Sequence, residues 1–241
     1  MLIAFLSWGR ASDISPALSH NVRGLLWASG TELLLFGFVF FLGCLASRAS
    51  RDQLFLRWRP GWWVLPLGIT YSVAIRLAVG IMVAMASAVL LLARVATPES
   101  LKEFMTANRP EVETVVDISM MQNDPLYFWL TLTLVSFVVA GLREEIWRSG
   151  VLAALRALWP RAFGSKRGQV IAVVGIAVVF GAAHAGMGLL AAVMAGVLGV
   201  FLGWIMVFHQ SIWPAVFAHG FFDATSMALL PWVMGKIQHV A

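Results

Sequence analysis

The sequence predicts an all-α fold: a polytopic transmembrane helical bundle of about six spans, with room for interfacial helices at its edges. Three observations predict it. The 241 residues are 60% hydrophobic with a mean hydropathy of +0.85, whereas soluble domains are about half apolar. The apolar residues gather into segments near the roughly 20 residues that cross a bilayer. The basic residues gather in short linkers between those segments, as cytoplasmic loops do.

In chain order the expected spans are 24–47, 62–93, 126–158, 169–185, 187–208 and 211–235. Ahead of them Met1–Trp8 is apolar but has neither a basic leader nor a small-residue cleavage site, so an interfacial helix is expected there rather than a cleaved signal. The second span is long enough to hold an interfacial piece at Trp62–Trp63, or a junction marked by Arg76. The third is overlong because it includes Arg143, Glu144, Glu145 and Arg148. Gly188, Ala192, Gly196, Gly199 and Gly203 form a small-residue stripe that predicts close helix packing. No repeat, low-complexity tract or change of composition divides the chain, so 1–241 reads as one membrane domain.

Charge orients the bundle. Linker 48–61 holds Arg48, Arg51, Arg57 and Arg59 against Asp52, and 156–167 holds Arg156, Arg161, Lys166 and Arg167 with no acid. Linker 94–125 is acidic, with Glu99, Glu103, Glu111, Glu113, Asp117 and Asp124 against Arg94, Lys102 and Arg109. The basic linkers are expected in the cytoplasm, the acidic one and both ends outside. The net charge of +5 is thereby a topological signal, and nucleic-acid binding is excluded as its explanation. The single Cys44 excludes an intrachain disulfide and a thiolate metal cluster, and reads as a small buried hydrophobe.

Against this apolar background the ionisable residues inside spans carry the functional signal, because charge in hydrocarbon is expensive. Glu144 and His184 each lie about 16 residues, or 24 Å, from the basic turn at 160–168 on antiparallel helices, so they should meet at one level. His219 lies only about 14 Å from the turn at His209–Gln210. Tilt, an inset turn or a break near Pro214 must bring it level. Phe180 should stack on His184, and His219 should lie one turn from Asp223, whose carboxylate would set the imidazole tautomer. Arg148 projects between Glu144 and Glu145 and can neutralise only one of them well. Glu32 reads as interfacial and Arg76 as a snorkelling side chain.

Glu144-Glu145 followed by Arg148, Phe180-x-x-x-His184 and His219-x-x-x-Asp223 resemble, in this order, the three motifs of the CPBP family, the CAAX proteases and bacteriocin-processing enzymes also called Abi. The approach Ser211-Ile212-Trp213-Pro214-Ala215 ahead of Ala218-His219 is also similar. The resemblance covers 126–230, a CPBP-like catalytic core, while the first hundred residues add only hydrophobicity. One column departs: the family has three residues between the second Glu and the Arg, but here only Ile146 and Trp147 intervene and Ser149 fills the Arg column. Either Arg148 substitutes from the neighbouring position or the local polar network is rebuilt.

The resemblance implies a glutamate-dependent intramembrane endopeptidase in a bacterial plasma membrane, acting on a membrane-associated or leader-bearing protein or peptide. Glu144 would activate water, His184 would position it, His219 and Asp223 would stabilise the oxyanion, and Glu145 with Arg148 would support them. No cofactor is expected. The competing chemistry is a zinc site on Glu144, His184, His219 and Asp223, although the spacing is not His-Glu-x-x-His. The competing class is a non-catalytic membrane adaptor or chaperone on the same fold. An ion or proton carrier lacks the interrupted repeats such proteins use.

Overall fold

A computed structural model describes residues 20–238, whose regular structure is all helical, with no strand among them. The expected Met1–Trp8 helix lies outside the described residues. Helices fill all six predicted ranges, but four stretches are long and apolar enough to cross a membrane: Val22–Ser47, Gly61–Leu92, Pro125–Leu158 and Leu189–His209. The other two are the 17-residue helix Lys166–Ala182 and the helix Trp213–Gln238, which carries His219 and Asp223.

Helix α1 (Val22–Ser47) starts where the Asn21 side chain accepts the Gly24 N–H at 2.8 Å, and ends at Arg48 in the left-handed conformation. It buries Leu25 and Ser29, while Trp27, Leu34, Phe38 and Phe41 are exposed. In a bundle this apolar, such a face meets acyl chains. Cys44 is half-buried on it. A 3₁₀ turn at Gly61–Trp63 leads into α2 (Val64–Leu92), and the exposed Trp62 and Trp63 rings stack 4.0 Å apart there. This change of winding falls where the sequence anticipated an interfacial piece. Arg76, however, marks no junction, because α2 runs unbroken through it.

The acidic linker folds into α3 (Pro98–Ala107), capped by Thr97, and α4 (Ile118–Asn123), capped by Asp117. Asp117 ties this linker to the start of α1 through His20, 2.6 Å away, and its own N–H donates to Tyr127 Oη at 3.2 Å. Burial pushes the Asp117 carboxyl up, but hydrogen bonds from His20, Ser119 and the backbone N–H groups of Met120 and Ser119 outweigh it and hold the group at about 2, against 3.8 ordinarily. Stability from a depressed carboxyl is present above its unfolded value and disappears as pH falls through its folded one. We therefore expect the difference in thermal midpoint between the wild type and Asp117→Asn, measured in detergent, to be constant above pH 4 and to shrink between pH 4 and 2. A difference that does not change over that interval would contradict the cap.

Helix α5 (Pro125–Leu158) begins with Pro125 in its first turn, where Asp124 accepts the N–H groups of Leu126 and Tyr127. Thr131–Leu142 is π-wound, with Ser136 Oγ donating to the Thr131 carbonyl five residues back at 3.0 Å. Winding returns to α at Arg143, so the charged motif stands where the pitch changes. Such π segments are uncommon and concentrate at functional sites. A short α6 (Pro160–Phe163) then leads to α7 (Lys166–Ala182), a turn at Ala185–Met187, α8 (Leu189–His209) and α9 (Trp213–Gln238).

The small-residue stripe does pack α8 against α7. A Cβ on Gly181 would sit 2.6 Å from the Ala192 carbonyl oxygen, and one on Gly203 would overlap Val173. Gly203→Val should therefore overpack this contact and cost about 1–3 kcal/mol, read as a lowered thermal midpoint, while Gly175→Val, at an open position, should not. Gly188 belongs to the turn instead, with φ at +102°.

Candidate active site

Three elements bring the site together. On α5 the acids are separately paired. Arg143 Nη2 lies 2.9 Å from Glu144 Oε1, and Arg148 pairs with Glu145 three residues away. From the spacing alone Arg148 had two acids to serve, but the structure pairs each acid with its own arginine. Arg148 and Glu145 are fully buried, whereas the Glu144 side chain keeps 9% of its surface exposed.

The departure in the arginine column has a packing explanation. Positions three and four residues apart face the same side of a helix, so Arg148 can take the role from one position earlier. Ser149 is 1% exposed and donates to the Leu54 carbonyl, which locks linker 50–59 under α5. That linker also receives the Ile212 N–H at Phe55 (2.9 Å), Ser211 Oγ at Arg57 (2.9 Å) and Trp213 Nε1 at Leu56 (3.0 Å). The α8–α9 turn is thus drawn into the bundle, with Ser211 and Ile212 fully buried. The inset turn is one of the three devices that could lift His219 to the level of the acids, and it is present.

His219, 3% exposed, stands among carboxylates. Its Nδ1 lies 3.2 Å from Glu145 Oε1, and its Nε2 lies 3.5 Å from Asp223 Oδ2 and 3.9 Å from Glu144 Oε2. The expected Asp223 partnership is present, yet Glu145 is the closer acid and the one that orients the ring. His184 falls just beyond α7 rather than inside it. Its Nδ1 is 2.8 Å from the Phe180 carbonyl; a carbonyl only accepts, so Nδ1 carries the hydrogen and the neutral ring keeps a lone pair at Nε2. It also lies near Asp223.

Phe180 joins the two histidines. Its ring lies 4.6 Å from that of His184 and 6.5 Å from that of His219, and the Arg148 guanidinium sits 4.7 Å over it. A cation over a ring face gains about 0.5–2 kcal/mol, more when dry. His219 stands between Glu144 and the Glu145–Arg148 pair, Asp223 adjoins His219, and His184 reaches the group through Phe180. Among the described residues no group of three or more His, Cys, Asp and Glu side chains is arranged to hold a metal ion.

The first hundred residues contribute more than hydrophobicity. Glu32 on α1 pairs with Arg143, extending the network to a further helix, and Arg76 on α2 donates to the Phe222 carbonyl beside Asp223. Both are charges inside apolar runs. That was the available signal, but a lone charge does not disclose its partner across the bundle.

Residues 125–225 match a family model described as Rce1-like: type II CAAX prenyl endopeptidase Rce1-like. No curated protein and no solved structure matches the chain. All three motifs fall within the matched segment, which covers less than half of the chain. Over residues 125–225, then, this integral membrane protein is similar to the Rce1-like, type II CAAX prenyl endopeptidases, in keeping with the CPBP motifs it carries there.

Proposed function

We propose that the protein is an intramembrane endopeptidase in which Glu144 activates water against a peptide carbonyl. The observation that carries this reading is the gap between Glu144 Oε2 and His219 Nε2. At 3.9 Å it is too long for a direct hydrogen bond and suits a bridging water. Glu144 takes a proton from that water as its oxygen bonds to the carbonyl carbon. His219 donates to the developing oxyanion from Nε2, with Asp223 beside it. His184 accepts a hydrogen bond from the water at Nε2. The intermediate collapses as the C–N bond breaks, and the proton held by Glu144 passes to the leaving amine. Glu145 and Arg148 hold the His219 ring from behind.

The substrate is a membrane-associated or leader-bearing peptide, and the membrane is a bacterial plasma membrane. The description of the matched family supplies the first probe: a quenched-fluorescent peptide ending in a prenylated CAAX sequence, presented to the protein in liposomes. Cleavage at one bond is expected. The mechanism calls on no resident metal, so chelation should leave the rate within about twofold. Loss on chelation with recovery on added zinc would assign the zinc alternative on Glu144, His184, His219 and Asp223.

A further inference from the structure

Arg76 stands about 18 Å along α2 from Val64, well inside a span, where a cation is costly unless compensated. Its Nη2 donates to the Phe222 carbonyl and, at 2.9 Å, to Ser226 Oγ, and its Cζ lies 4.4 Å from the Phe222 ring centroid. Both acceptors are neutral. Among the described residues no carboxylate lies within 4.0 Å of the guanidinium, and Asp223 acts on it only from farther away. Nε and Nη1 have no hydrogen-bond acceptor among the described residues. One nitrogen is anchored, the other two are bare, and the side chain is only part-buried.

These bare nitrogens are close to the chemistry. Ser226 is seven residues from His219 and so shares its face of α9. Phe222 and Ser226 lie about 4.5 and 10.5 Å beyond His219 along the helix, which places the guanidinium within about two turns of the scissile position. A guanidinium with unpaired N–H groups at Nε and Nη1 is a natural partner of a carboxylate oxygen.

We propose that Arg76 binds a carboxylate of the peptide substrate and so sets which peptides are cut. The proposal rests on the endopeptidase reading. A terminal carboxylate and an acidic side chain offer the same chemistry, and the test separates them. The probes are the prenylated quenched peptide as a free acid, the same peptide amidated at its C-terminus, and the amidated peptide with one aspartate on the C-terminal side of the cleaved bond. The wild type should cut at least one carboxylate-bearing probe with a kcat/KM about 10–100-fold above that of the neutral amide, mainly through KM. Preference for the free acid assigns the terminus, and preference for the aspartate peptide assigns a side chain. In Arg76→Gln the preference should fall to within about threefold. Arg76→Lys should retain part of it, because charge remains but the guanidinium's spread of N–H donors is lost.

A wild type indifferent to substrate charge, or an Arg76→Gln variant that keeps the full preference, would overturn the proposal. The wild-type comparison stands even if Arg76→Gln does not fold. Failure of the wild type to cut any of the three probes would instead count against the endopeptidase reading.

Discussion

Glu144→Gln is expected to lower kcat by about 10²–10⁴-fold, the usual scale for loss of a general base, while the protein still folds. Gln is nearly isosteric with Glu and keeps a carbonyl oxygen for Arg143, so the contact on that side persists. What disappears is the proton acceptor. Turnover in liposomes and the thermal midpoint in detergent should therefore separate, the first collapsing and the second changing little. Wild-type turnover in this variant would remove Glu144 from the mechanism. A cellular phenotype retained without turnover would assign the adaptor class instead.

Arg148→Ala should have the largest effect on stability, about 3–5 kcal/mol, because it strands the fully buried Glu145 carboxylate without its cation. It also removes the charge over Phe180 and slackens the ring that links the two histidines. Adding Glu145→Gln to Arg148→Ala should recover much of the loss, since the penalty comes from the uncompensated charge rather than from the missing side chain. Chemical or thermal unfolding of the single and double variants in detergent measures the coupling. An Arg148→Ala protein as stable as the wild type would mean that Glu145 finds another partner.

How far the site could be read from sequence differed from residue to residue. Glu144, Glu145, His184 and His219 were readable because each is a polar residue at a countable depth in an apolar segment. The partner of each acid was not. Arg143 and Arg148 flank both glutamates in sequence, and rotamer and packing allotted them one to each. The same applies to Ser149, whose place in the arginine column looked like a loss until its hydroxyl was seen to anchor the Leu54 carbonyl. Counting residues also placed His219 close to the start of its helix, because a count assumes a turn at the surface whereas this one is pulled inward by the 50–59 linker.

By itself the sequence determined the helical membrane class, the helix ranges and the three polar motifs, because apolar run length and charge placement are local quantities fixed by bilayer thickness and solvation. Only the tertiary structure decided that Glu32 and Arg76, on α1 and α2, reach the neighbourhood of Glu144 and Asp223. Ion pairing and hydrogen bonding between helices depend on which faces meet, and facing is settled by packing across the bundle, which no single segment encodes.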